Sequence, residues 1–306
     1  MSTGKKVFLS ILAIMLVIII GIGGYAAKVY FDVKGTANEI HQPTTRKQSE
    51  KREQPVNIDA GEPFSVLLLG LDTGDLGRDE QGRSDTMLVA TINPNNNQTT
   101  LVSIARDTYT EIVGNGTMDK INHAYAFGGV EMAMDSVENL LDIPLDHYVT
   151  INMKGLKELV DAVGGVSVEN TLAFSQDGND FPIGTIQLNG EQALSYSRMR
   201  YEDPKGDYGR QDRQRKIITA IVKKSLNLST ITGYKSILDT IGSNMKTDLS
   251  WEDMVDLQSK YREAFANIKQ DTLQGQGVMR DGVSYQDITP EELARVQGIL
   301  KAQLEK

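Results

Sequence analysis

The chain has 306 residues, no cysteine, 40% hydrophobic residues and a formal net charge of −9. Without cysteine, a disulfide-stapled scaffold is excluded, and the fold must rest on an ordinary apolar core, for which the length is ample. The acidic balance argues against nucleic acid as a partner, because such binders present a broad basic face.

Residues 7–27, VFLSILAIMLVIIIGIGGYAA, carry no charge. As a helix, this stretch is long enough to cross roughly 30 Å of hydrocarbon. It is also longer than the h-region of a cleaved signal peptide, roughly 7–15 residues. Lys5 and Lys6 precede it, which predicts a cytoplasmic tail over 1–6 and a single-pass signal anchor over 7–27 in the cell membrane. The rest of the chain is then extracytoplasmic. Residues 28–61 include HQPTTRKQSEKREQP, polar and charged with little to bury, and read as a flexible linker. Residues 62–306 form the folded domain.

FSVLLLGL from Phe64 is a continuous apolar run, the pattern of a strand covered on both faces. It delivers Asp72 into a polar, Gly-containing loop that runs to Arg83. Strands are predicted over Thr86 to Ile92 and Thr99 to Ile104, joined by the turn NPNNNQ and followed by Arg106 and Asp107. A helix is predicted over Phe127 to Leu141, where Val130, Met134, Val137 and Leu141 share a face. His147 to Ile151 reads as a strand, Lys154 to Val163 as a helix stopped by Gly164-Gly165, and Val166 to Glu169 as a short strand. Residues 171–188 read as a loop. Asn189 is placed to N-cap a helix over Glu191 to Tyr196, and Gly209 to Leu226 reads as a longer helix. Helices near 233–242 and 250–266, a strand near 267–273 and a helix from Pro290 complete the chain. Alternating strands and helices imply an α/β (α+β) layered sandwich, a central mixed sheet flanked by helices, preceded by one transmembrane helix.

Five of the thirteen arginines fall between Arg198 and Arg215. On an acidic chain, such a cluster points to a dedicated anion site, because the planar guanidinium pairs with phosphate oxygens and stays charged. In a strand, Arg198 and Arg200 would face the same way. On a helix from Gly209, Arg210, Arg213 and Gln214 would share a face near its positive end. Asp72 and Asp85 offer carboxylate oxygens suited to a hard cation such as Mg2+, with Mn2+ an equivalent in kind. Arg215 reads as a solvated helix residue and His123 as structural. Ser84 and Ser103 lack a neighbouring histidine to activate them. The loop after Asp72 lacks the GxxxxGK[ST] pattern of a nucleotide-binding P-loop.

GRSDTM (Gly82 to Met87), SIARD (Ser103 to Asp107), KINHAY (Lys120 to Tyr125), LKELVDAVGGV (Leu156 to Val166), and NGEQALSYSRMR through GDYGRQDRQ resemble, in order, motifs of the LytR–CpsA–Psr family. The resemblance covers roughly Phe64 to Ile218, and makes 62–306 the family's catalytic domain. It implies transfer of an anionic glycopolymer, of the wall teichoic acid type, from an undecaprenyl-diphosphate carrier to N-acetylmuramic acid of peptidoglycan, forming a phosphodiester. By position it implies Asp72 and Asp85 as Mg2+ ligands. Arg83, Arg106, Arg198 and Arg200 become catalytic and diphosphate-binding residues and Arg210 a diphosphate-binding one, with Gln214 beside them; Arg213, on the same helix face as Arg210, is counted with the diphosphate-binding set. Asp107 becomes a partner of Arg106 or a base. Ala105 departs from the usual proline of SIPRD, Arg215 stands where a second glutamine is common, and the loop between Asp72 and Arg83 is longer than in many relatives. Two other readings share these residues: a hydrolase of polyprenyl-diphosphate glycans, and a non-catalytic wall-associated regulator that binds lipid.

Overall fold

The computed structural model describes residues 27–74, 82–226 and 234–305. The predicted anchor therefore lies outside the described residues except for its last position. Among the described residues, no helix is long and apolar enough to cross a membrane. The mixed α/β sandwich is as expected. Its centre is a six-stranded sheet of β1 (Phe64–Leu71), β2 (Ser84–Asn93), β3 (Gln98–Ile104), β6 (His147–Asn152), β11 (Met245–Thr247) and β12 (Ile268–Thr272), in the order β11-β6-β1-β2-β3-β12. β2 pairs antiparallel with β1 and β3, while β6 and β12 run parallel to β1 and β3. The ends of β1, β3 and β6 and the start of β2 therefore lie along one edge of the sheet.

β1 is apolar throughout because both of its faces are covered. Leu67 and Leu69, with Met87, Val89, Val102 and Ile104 of the neighbouring strands, pack beneath α2 (His123–Leu141) and α9 (Pro290–Leu304). Phe64 and Val66, with Leu88, Ala90 and Leu101, pack on the other face against α7 (Trp251–Lys260) and α8 (Arg262–Ala266). A third core joins α3 (Met153–Ala162), α4 (Gly190–Arg198) and α5 (Asp207–Leu226) to the small strands β7 (Val166–Asn170), β8 (Phe174–Gln176), β9 (Asn179–Phe181) and β10 (Gly184–Leu188). The predicted loop over 171–188 is thus two short hairpin partners and a strand. Phe174, Phe181 and Tyr196 stack within it, with ring centroids 4.8 to 5.6 Å apart. The expected single helix over 250–266 is broken at Tyr261, whose buried hydroxyl donates to the carbonyls of Ile58 and Glu62. The hairpins β4 (Tyr109–Ile112) with β5 (Thr117–Lys120), and β13 (Gln276–Arg280) with β14 (Val283–Asp287), are additions to the predicted set.

The largest departure concerns residues 28–61. Residues 27–40 are helical (α1), and 41–61 lie along the domain as a strap. Arg46 pairs with Asp135 and Glu138 of α2, Lys51 with Asp142, and Arg52 makes a two-pronged contact with Asp146 at 2.5 and 2.7 Å. Ile58 is buried in the core formed with Phe64 and Tyr261. The charges that read as a solvated spacer are complemented by carboxylates some 90 positions away, and composition alone carries no trace of that pairing. Asp146 also accepts from the Ser65 amide. Asp146→Ala should therefore leave buried donors unpaired and destabilise the fold by roughly 3–5 kcal/mol, measured as a lower urea midpoint.

Candidate active site

Asp72 follows β1, Asp85 opens β2 and Arg106 follows β3, so antiparallel pairing brings all three to the same sheet edge. Above that edge stands the turn that joins α4 to α5. Asn189 caps α4 in a reciprocal capping box with Gln192, which fixes the helix that ends at Arg198. Arg198 and Arg200 are not in a strand. They flank Met199, the extended C-cap residue of α4, which is buried in the third core. The expected out-in-out alternation is preserved by one buried methionine. Together Asp72, Asp85, Arg106, Arg198, Arg200, Arg210 and Gln214 line a cleft of about 310 Å3. Tyr201, 89% exposed and stacked under the Arg200 guanidinium at 4.7 Å, completes its lip. Tyr201, Asn152 and Ser197 are cleft residues that the sequence reading missed. For Tyr201 the available signal was an aromatic next to a site arginine.

The charges are only partly balanced. Arg106 donates to Asp85 at 2.8 Å. Burial pulls its pKa down, but the attraction and hydrogen bond of Asp85 outweigh this and leave it raised. Arg210 is pushed the other way. Burial lowers its pKa, and the nearby Arg106 and Arg200 add to that against the pull of Asp207 and Asp85. Its contact with Asp207 is 2.8 Å, yet the angle is too poor for a hydrogen bond, and Arg210 Nε is buried without a partner among the described residues. Crowded guanidiniums with an unused buried donor are what an incoming oxyanion would relieve.

An apolar cavity of about 290 Å3 opens beside the cleft. Leu68, Leu88 and Val149 of the sheet, Leu156 and Leu159 of α3, and Ile217, Ile218 and Ile221 of α5 line it. The two spaces share Gly70, Thr86, Ile151, Leu156, Ser197 and Gln214. Helices α3 and α5 thus wall this cavity, whereas α2 packs on the opposite face of the sheet.

Three predicted site residues sit elsewhere. Arg213 turns away from the cleft: it pairs with Asp203 at 2.6 Å, donates to the carbonyls of Tyr196 and Met199, and stacks on Phe174. Its place is beneath the 196–203 turn, because the third core draws that face of α5 inward. Gly209 belongs to the same device, since a Cβ there would lie 1.8 Å from Asp203 Oδ2. Arg83 is exposed and lies outside the cleft lining. Asp107 also lies outside it; among the described residues its Oδ1 is buried without a partner, and burial, with the nearby Asp207, raises its pKa. Arg215, expected in solvent, is buried and donates to Ser103 Oγ at 2.6 Å. His123 lies outside the cleft lining, with Nδ1 2.7 Å from Asp119.

The model of the LytR_cpsA_psr family matches residues 27–302. The chain belongs to the LytR–CpsA–Psr family. It is 59% identical over 304 residues to a protein of Enterococcus faecalis named polyisoprenyl-teichoic acid–peptidoglycan teichoic acid transferase TagU, covering 99% of each chain. A Bacillus subtilis protein of the same name is 45% identical over 302 residues, covering 99% of this chain and 97% of the relative. Among solved structures, TagT bound to LIIa-WTA superposes with a TM-score of 0.73 at 32% identity, over 86% of this chain and 99% of that one. The family match begins at residue 27, so it takes in the helix and strap as well as the sheet.

Two outcomes separate the scaffold from the cleft. Arg213→Ala should cost roughly 3–5 kcal/mol of stability through the orphaned Asp203, while Arg200→Ala should unfold at the wild-type midpoint, both measured by chemical denaturation. Asp107 titrates above its unfolded value, so the folded state holds its proton longer. That favours the fold below the ordinary aspartate pKa and weakens it as pH rises through the folded one. Asp107→Asn should therefore raise the thermal midpoint at pH 7, and the gain should vanish near pH 3.

Proposed function

We propose that the protein transfers an anionic glycopolymer of the wall teichoic acid type from an undecaprenyl-diphosphate carrier to peptidoglycan. The observation that carries this reading is the continuity of an arginine-lined cleft with an apolar cavity. A prenyl diphosphate has the matching shape, with a doubly charged head and a hydrocarbon tail. The names of the close relatives and the LIIa-WTA bound to TagT support it.

Arg106, Arg198, Arg200 and Arg210 bind the diphosphate, and Gln214 sits where head and tail compartments meet. A hydroxyl of N-acetylmuramic acid forms a new bond to the polymer-side phosphorus. The bond from that phosphorus to the bridging oxygen breaks, undecaprenyl phosphate leaves with the electron pair, and the hydroxyl proton passes to that phosphate or to water. Catalysis is by positioning and by neutralising charge on the phosphoryl oxygens. Arg213 acts only through the turn that it holds. Among the described residues, no group of three or more His, Cys, Asp or Glu gathers for a metal. Asp72 and Asp85 nevertheless fit Mg2+ or Mn2+, which commonly take one or two carboxylates and complete their shell with water and substrate phosphate oxygens. When bound there, such an ion would polarise the phosphoryl group and offset its charge. The residues 7–27 would hold the domain on the extracytoplasmic side of the cell membrane.

Arg200→Ala should lower polymer transfer on the order of 10²–10³-fold, measured with a synthetic polyprenyl-diphosphate precursor, Mg2+ and glycan oligomers. Release of free phosphorylated polymer in place of the attached product would identify a hydrolase. Ile221→Trp should block the apolar cavity and depress turnover of long-chain donors while sparing short-chain ones, read as a change in the ratio of kcat/KM values.

A further inference from the structure

Large exposed apolar side chains gather where α1 meets α7. Tyr30 is 48% exposed and Phe31 68%. The Tyr30 ring stands edge-on to Phe31 and to Trp251, with both centroid distances 5.5 Å. Val255, one turn after Trp251 on α7 and 43% exposed, extends the same surface. The two elements are tied as a unit although some 220 residues separate them. Lys34 reaches Glu252 of α7 at 3.9 Å, and Lys246 Nζ of β11, the strand ahead of α7, donates to the Glu39 carbonyl. A contiguous apolar surface of this kind on a folded domain marks a contact site.

The chain itself says what covers it. The uncharged stretch 7–27 ends three residues before Tyr30. On the reading of that stretch as a membrane anchor, on which the inference rests, residue 27 marks the edge of the hydrocarbon. A helix rises about 1.5 Å per residue, which puts Tyr30 and Phe31 roughly 5–6 Å beyond that edge. The headgroup layer of one leaflet is itself roughly 5–7 Å thick. Tyrosine and tryptophan favour this zone because one end of each ring is apolar and the other hydrogen-bonds. We propose that Tyr30, Phe31, Trp251 and Val255 form a seat in the headgroup layer of the extracytoplasmic leaflet, which fixes the catalytic domain with α7 against the bilayer. The seat also relates the domain's orientation to its lipid. Met245, which lines the apolar cavity, lies in β11, and β11 leads directly into α7.

Trp251 is the chain's single tryptophan, so the native protein carries its own probe. The full chain is reconstituted in phosphatidylcholine–phosphatidylglycerol vesicles, with or without phosphatidylcholine brominated near the headgroup end of its acyl chains. Fluorescence and co-flotation are read on the same sample. The seat requires that the protein float with the vesicles and that Trp251 emission be strongly quenched by the brominated lipid. The double variant Trp251→Phe/Met118→Trp moves the probe to the β4–β5 hairpin, which packs on the opposite face of the sheet with α2. Its emission should be unaffected. Flotation without quenching of Trp251, or equal quenching of both proteins, overturns the seat and leaves the anchor standing. Failure to float overturns both.

Discussion

The repulsion among guanidiniums in a half-buried cleft is the constraint around which the site is organised. Arg106, Arg198, Arg200 and Arg210 line one space, and Arg210 has lost part of its solvation to get there. Isolated, such a group would splay into water. Here Asp85 holds Arg106, Asp207 stands by Arg210, and Arg213 pins, at the Met199 carbonyl, the turn from which Arg198 and Arg200 project. The guanidiniums are thus held in place in advance, and on the proposed function no reorganisation is left to the moment of reaction.

That arrangement depends on how the sheet is covered. One face is closed by α2 and α9 and is solidly packed. The other is covered by helices that diverge, α7 and α8 at one end, α3 and α5 at the other, and the apolar cavity lies beneath the second pair. Strands β1 and β2 serve both purposes. Their side chains floor the cavity, and their ends present Asp72 and Asp85 to the cleft. On the proposed function, the head and tail of one lipid would meet opposite aspects of the same two strands.

The sheet and most of the helices were legible because their signals are local: the apolar run at Phe64, the Asn189 cap, the Gly164-Gly165 stop. The cleft residues were legible because charged groups at element ends are conspicuous on an acidic chain, and the family resemblance assigned them roles. What failed was direction. Nothing in the sequence distinguishes Arg210, which faces the cleft, from Arg213, which is drawn under the turn by Asp203 and the aromatic core. Arg215 was misread for the same reason: its partner Ser103 is 112 positions away. The strap was misread because its low hydrophobicity suggested disorder, whereas its stability comes from acids on α2 and from a single buried isoleucine.

The strap sets a limit on how the molecule can be cut. A soluble fragment starting at residue 62 would discard Ile58 and with it one of the two carbonyls that satisfy the buried Tyr261 hydroxyl. It would also leave Asp146 and Glu138 facing an emptied groove, each stripped of its arginine. The smallest self-sufficient unit therefore begins ahead of residue 41, within the helix over 27–40, and a boundary drawn by hydropathy falls inside the folded body.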